Sequence, residues 1–424
     1  MGKEKNTNSN TYKKIYDPVH GFIRLSTLER DLIDSYAFQR LHYIHQLGVA
    51  YLVYPGASHT RFEHSLGVME VATEIFDRIL EHSPYRPDED SLAYWRQVVR
   101  FAALCHDLGH LPFSHVAEQR ILGASGHETW TVALIESCFL SPIWSRFIQD
   151  FPGSNGVEDI IKTSIGENKL RGLDPRWKDV TFTPWEKVMS QIITGDFFGA
   201  DRIDYLLRDA RCTGVSYGLF DYHQLIEMLR ILPCIEGEGL TLGVEENGIE
   251  SCEALLLARH FMHKRVYQYP SVQAYSFHMS RFMEKIYERE MPLLSLGKYI
   301  SYTDSEILAE LKIAFLDPSH PSHEDALPLF IRENRYLAVE LPDRVQEIDI
   351  LDWKEQFHIG REKAESFFVK GKNKPVPSFP VLQGQKVIDA KFCSSFTIPS
   401  FSNNWLYVSP KHGDSIGQLL EKRH

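Results

Sequence analysis

The chain has 424 residues, 43% of them hydrophobic, enough to bury one large helical core or two ordinary ones. Its formal charge of −11 argues against a protein whose main task is coating nucleic acid, because neutralising phosphates needs a net basic surface. Its cysteines (Cys105, Cys138, Cys212, Cys234, Cys252 and Cys393) form no CxxC pair, which points to reduced thiols in a cytoplasmic setting rather than disulfides or a cysteine-held zinc.

The opening MGKEKNTNSN is polar and reads as a disordered tail over residues 1–12. It lacks the apolar stretch of a signal peptide, and Asn6 stands where a myristoylation signal needs Ser or Thr. No run of about eighteen apolar residues follows anywhere, so no membrane partner is expected. The segment DPVHGFIRLS has the Pro, Gly and alternating apolar residues of a short strand and turn. Leu32, Tyr36 and Leu41 then fit an amphipathic helix. Phe62, Leu66, Met69, Ala72, Phe76 and Ile79 fit a second, opened by Ser58 as N-cap.

A third helix is expected in LAYWRQVVRFAALCHDLGH, stopped by Gly109 and Pro112, with others around 127–139, 186–210, 222–231 and 251–269. The stretch 153–182, rich in Gly, Lys and Asp, reads as an insertion or mobile loop. Beyond about residue 300, the β-prone runs RYLAVELP, ESFFVKG, KVIDAKFC and WLYVSP alternate with helices such as 304–315. The expected architecture is therefore mainly α, with a helical core over 13–300 and a smaller α+β accessory lobe over 301–424.

His106 and Asp107 are adjacent and His110 follows one helical turn later, so imidazoles and a carboxylate can converge there. An isolated His-Asp pair is an ordinary core feature in which the two satisfy each other. Here polar groups recur at helical spacing elsewhere. Arg61 and His64 lie in GASHTRFEHSLG, Asp201, Tyr205 and Asp209 in GADRIDYLLRDA, and Arg259, His263 and Tyr267 in ARHFMHKRVYQYP, before Pro270 closes that helix. Burying so many groups unsatisfied would be costly without a shared ligand.

The order H…HD…D formed by His64, His106, Asp107 and Asp201 resembles the metal site of the HD-domain phosphohydrolases. The flanking YPGASHTRFEHSLG, LCHDLGHLPFSH and ADRIDYLLRD are similar to the branch containing the SAM and HD domain dNTP triphosphohydrolases and their bacterial relatives. The resemblance covers about residues 14–270, with no separate SAM domain preceding the core. It implies that His64, His106, Asp107 and Asp201 hold one divalent ion, for which two imidazoles and two carboxylates suit Mn, Fe, Mg, Ni or Co.

By the same resemblance His127 is a catalytic histidine and Glu118 its orienting carboxylate, where the family usually has Asp. His110 joins that catalytic group. Arg61, His110, His115, Arg202 and His263 would surround a polyphosphate, Arg202 standing where the family usually has Lys. Gln46 and Asp209 match contacts to a sugar 3′-hydroxyl, Tyr205 and Tyr267 pack near the sugar, and Leu47 lies by the base. Arg259 and Gln268 complete the expected substrate-binding set.

In the family's effector segment, DSYAFQRLHYIHQLG keeps Asp34 and Gln39 but has His42 in place of an Arg, and Lys14 and Tyr16 also differ. Activation by GTP or dGTP in the family's manner is therefore not expected, although another nucleotide effector remains open. A dimer or tetramer is the default expectation. The activity implied is hydrolysis of a dNTP to deoxynucleoside and triphosphate. The alternatives are an HD phosphohydrolase acting on a monophosphate, ribonucleotide or signalling nucleotide, and a nucleotide-sensing or nucleic-acid-binding module with little turnover.

Overall fold

A computed structural model of the chain describes residues 13–235, 237–290, 295–341, 366–369, 378–394 and 404–412; the expected tail over 1–12 lies outside the described residues. The long helix Arg61–Glu81 sits at the centre. It is buried on nearly every side, and it packs against Glu89–Cys105 and Ala200–Thr213. The helices Gly156–Ile165 and Pro184–Thr194 complete a layer around Glu89–Cys105. Fully buried Val68, Ile75, Val99, Phe101, Met189, Ile192 and Leu206 share this core. At about 1.5–3 kcal/mol for each large apolar side chain, it fixes the helix ends that carry the chemistry.

The fold is mainly α with small sheets, as the periodicity predicts, and several elements differ in detail. The expected helix through Leu32, Tyr36 and Leu41 is broken, because Ser35 ends Thr27–Ile33 and caps Tyr36–Gln39 by accepting from the Phe38 amide. Tyr36 is exposed. Thr60, not Ser58, is the N-cap of the central helix. The 186–210 prediction resolves into Pro184–Thr194 and Ala200–Thr213, and the 222–231 prediction into Tyr222–Met228 followed by the strand Leu229–Pro233.

The stretch 153–182 is not a loop. It forms Gly156–Ile165 and Glu167–Leu173, anchored by buried Ile160, Ile161, Ile165 and Leu170. The helix that runs on to Tyr267 does end before Pro270, and Pro270 itself opens Pro270–Glu290 at a position where its missing N–H costs nothing.

The N-terminal hairpin pairs Lys13–Asp17 with Gly21–Leu25. Each β-prone run beyond residue 300 contains a strand: Leu337–Leu341, Ser366–Val369, Lys386–Asp389 and Asn404–Val408. One sheet has the order Leu229–Pro233, Leu240–Glu245, Pro380–Gln383, Lys386–Asp389, joined by parallel pairing of Val244 with Val381. It thus takes strands from both sides of the expected 300/301 boundary, and Leu296–Ser301 runs across it. Phe379, Val381 and Ala390 belong to the same apolar cluster as the central helices.

Candidate active site

Three helix ends converge. His64 lies in the first turn of Arg61–Glu81, His106 and Asp107 follow directly on Glu89–Cys105, and Asp201 is the second residue of Ala200–Thr213. His64 Nε2 lies 3.1 Å and His106 Nε2 3.7 Å from Asp201 Oδ1. Asp107 reaches the same point, 3.4 Å from His106 Nε2 and 3.5 Å from His64 Nε2, with its Oδ2 also held by Arg61.

The donor set fits a divalent cation. One nitrogen or oxygen each from His64, His106 and Asp201 lie within 4.8 Å of one another, and buried His106 Nε2 has no hydrogen-bond partner among the described residues. The other nitrogen of each imidazole is engaged from behind, His64 Nδ1 by Asp204 Oδ2 at 2.7 Å and His106 Nδ1 by the Ala103 carbonyl at 2.7 Å. Such outer bonds fix the tautomer, so each Nε2 lone pair faces the centre.

Burial would lower the His64 pKa, but hydrogen bonds to Asp201 and Asp204 outweigh it and push it up to about 10. Burial would raise the Asp107 carboxyl, yet Arg61 and the His106 and His110 imidazoles keep it well below the usual range.

Behind His64 stands a layer that the sequence reading does not include. Asp204 accepts from Arg208 Nε and Nη2, both at 2.9 Å, and pairs with His20 Nε2 at 2.6 Å. Arg208 also donates to Asp17 at 2.7 Å. All four side chains are almost wholly buried. Gly67 permits this packing, since a Cβ there would lie 1.9 Å from Asp204 Oδ1. The Asp201, Asp204, Arg208 spacing of three and four was the signal available for it.

A second polar cluster joins His110, His115, Glu118 and His127. Glu118 Oε1 accepts from both His127 N (2.7 Å) and Nδ1 (2.6 Å), and its Oε2 contacts His115 Nδ1. Gly126, at φ +60°, leaves room for the carboxylate, because a Cβ there would sit 3.0 Å from Glu118 Oε1. Burial would raise the Glu118 pKa, but the His115 and His127 hydrogen bonds carry it far below the carboxylate range. His127 Nε2 is thereby turned to the first cluster, 3.9 Å from Asp107 Oδ1. His110 stacks on His127 with centroids 3.6 Å apart. Burial and the nearby Arg61 charge hold His110 well below its ordinary pKa, so it is neutral.

Both clusters open into a cavity of about 600 Å³, within the usual range for a small-molecule site. Gln46, Leu47, Arg61, His115, Arg202, Tyr205, Asp209, His263 and Tyr267 line it, as do His106, Asp107, His110, His127 and Asp201. Buried Gln46 Oε1 and Arg202 Nε have no hydrogen-bond partner among the described residues. Asp209 accepts from Tyr267 OH at 2.8 Å and pairs with His59 Nε2 at 2.8 Å.

Arg259 and Gln268 are not on the cavity wall; Arg259 sits behind it beside Tyr205 and Arg202, and Gln273 lines the wall where Gln268 was expected. His64 and Glu118 also stand behind the wall. The helix Ile249–Met262 continues as a wider π turn over His263–Tyr267, a feature that periodicity at three and four does not reveal. Lys169 lines the cavity while paired with Glu128; the sequence reading missed it, because its segment was expected to be a loop.

Residues 61–174 match the HD domain family, consistent with the HD-domain phosphohydrolase superfamily. It is 37% identical over 287 residues to an uncharacterized protein of Methanocaldococcus jannaschii, covering 67% of this chain and 52% of that one. It is 30% identical over 368 residues to the deoxynucleoside triphosphate triphosphohydrolase SAMHD1 of Gallus gallus, covering 79% of this chain and 58% of that protein. The chain thus spans about half the length of the curated relatives it matches. The crystal structure of a hypothetical protein from Aquifex aeolicus superposes with a TM-score of 0.72 at 29% identity, covering 95% of this chain and 98% of that one.

Proposed function

We propose that the chain is a metal-dependent dNTP triphosphohydrolase, with His64, His106, Asp107 and Asp201 holding one divalent ion, of the Mn, Fe, Mg, Ni or Co class. The observation that carries the reading is the Glu118–His127 couple facing the His64, His106, Asp201 cluster across one cavity. When bound, the ion would polarise a phosphoryl oxygen and lower the pKa of a coordinated water.

The chain's own residues do the rest. Glu118 keeps the proton of His127 on Nδ1 and supports the imidazolium that forms when Nε2 takes up a proton. As the water oxygen bonds to the α-phosphorus and the phosphorus–O5′ bond breaks, His127 delivers that proton to O5′. Deoxynucleoside and triphosphate leave. Arg61, Arg202, His115 and His263 face the phosphates, with neutral His110 offering a hydrogen bond without added charge. Gln46 and Asp209 receive the 3′-hydroxyl, while Tyr205 and Tyr267 close the sugar side and Leu47 the base side.

SAMHD1 relatives bear the name of dNTP triphosphohydrolases, which supports the substrate class. His42 stacks on Phe62 with centroids 3.5 Å apart, spent on the protein's own packing, which supports a mode of regulation unlike activation through an Arg at that position. We place the activity in the cytoplasm and in a homo-oligomer; no described helix is long and apolar enough to cross a membrane.

The test presents Mn-loaded protein with dNTPs, NTPs and nucleoside monophosphates and identifies the products. Triphosphate from dNTPs is expected. Orthophosphate from a monophosphate would reassign the substrate within the superfamily, and absence of turnover with every metal would favour a sensing module.

A further inference from the structure

The segment around residues 299–304 packs against two loops of the active site. Asp304, the first residue of the helix Asp304–Leu316, is 3% exposed and turned inward. Its Oδ1 accepts from the Phe113 amide at 2.6 Å, and its Oδ2 accepts from the His45 amide at 2.9 Å while pairing with His45 Nδ1 at 2.6 Å. One carboxylate thus ties together two cavity-lining loops.

Phe113 and Ser114 need this tie. Both lie in the left-handed region, at φ 57° and 58°, which costs a residue with a Cβ about 1–2 kcal/mol each. From that strained pair, Ser114 Oγ donates to the His45 carbonyl at 2.6 Å and accepts from Arg61 Nε at 2.9 Å, and Arg61 holds Asp107. Five residues before Asp304, Tyr299 OH donates to the Gly109 carbonyl while its ring stacks on Trp130 at 3.8 Å. Arg40 donates to the Tyr302 and His110 carbonyls at 3.0 and 2.8 Å. The loop from Gly109 to Phe113 is therefore held at both ends by residues 299–304.

We propose that Asp304 is a positioning residue, through which the C-terminal part of the chain holds the 110–115 and 45–47 loops in their working geometry. For its kinetic arm the inference rests on the function proposed above. Asp304→Asn keeps the size and one acceptor, but offers an NH₂ group to donors on one side.

Amide exchange of peptides covering 108–116, Mn²⁺ affinity by calorimetry, and kcat/KM on dNTPs are measured together. Asp304→Asn should speed exchange of 108–116 and lower kcat/KM by about 100-fold, as expected for reacting groups misplaced by an ångström, with Mn²⁺ affinity within about twofold. Tyr299→Phe, which removes one hydroxyl, should lower kcat/KM about 10-fold, and stands in should the Asn variant not fold.

Glu306→Ala breaks the capping box of the same helix without touching either loop. It should lower the melting temperature and leave kcat/KM unchanged. Unaltered exchange of 108–116 in Asp304→Asn, or altered exchange with unaltered kcat/KM, overturns the proposal, as does a Glu306→Ala variant that loses kcat/KM equally. Should the wild type turn over no nucleotide, the functional reading fails while exchange alone decides whether Asp304 clamps the loop.

Discussion

Asp204 is a demanding residue to replace. Its two oxygens accept from or pair with four groups: Oδ1 with His20 Nε2 and Arg208 Nη2, Oδ2 with His64 Nδ1 and Arg208 Nε. In Asp204→Asn the new NH₂ must face one Arg208 N–H and one imidazole nitrogen, whichever way it turns. The lost charge-assisted bond to Arg208 is worth about 1.5–3 kcal/mol, and the surviving bonds weaken by about 1 kcal/mol each. A destabilisation of about 4 kcal/mol follows, in line with breaking a buried ion pair.

Where the NH₂ faces His64, the imidazole must accept at Nδ1 and carry its proton on Nε2, aimed at the cation. Mn²⁺ affinity should fall by about 10- to 100-fold. Urea unfolding in chelator and calorimetric Mn²⁺ titration measure the two effects. Asp17→Asn is the control, because Asp17 holds Arg208 but does not touch His64. It should lose stability and keep its Mn²⁺ affinity. Equal affinity losses in both variants would refute the tautomer argument.

His59 predicts a pH dependence. Burial would lower its pKa, but hydrogen bonding to Asp209, with Cys212 alongside, pushes it up to about 9 from an ordinary 6.5. Because the folded value is the higher one, the stabilisation of about 3 kcal/mol is fully present below pH 6.5 and is lost as pH rises through 9. Chemical denaturation of wild type and His59→Asn across pH 6–10 should show the difference between them shrinking over that window; a constant difference contradicts it. Glu118→Gln should lower kcat by about 10²- to 10⁴-fold, the span of general acid and base contributions, with Mn²⁺ affinity unchanged in calorimetry. A variant with wild-type kcat would remove the couple from the chemistry.

Local signals explain what was legible in the sequence. His64, His106, Asp107 and Asp201 stand in long ordered motifs, and their helices follow apolar periodicity, so both the core and the cluster could be read. The later strands were legible from their β-branched and aromatic runs between Pro and Gly. Composition misled at 153–182, where Gly, Lys and Asp mask Ile160, Ile161, Ile165 and Leu170 at helical spacing. Pro270 is ambiguous in principle, since Pro both stops one helix and starts the next. What stayed hidden was long-range: Asp304 meets Phe113 across 191 residues, and Asp17 meets Arg208 across the same separation. No local pattern encodes such contacts.

Bond cleavage tests the central claim most directly. Hydrolysis of a dNTP by the Mn-loaded protein in ¹⁸O-labelled water, followed by mass spectrometry of the products, reports where the water oxygen goes. Attack on the α-phosphorus with O5′ protonated by His127 predicts the label in triphosphate and none in the deoxynucleoside. Label in the deoxynucleoside, or in pyrophosphate or a nucleoside monophosphate, would contradict it.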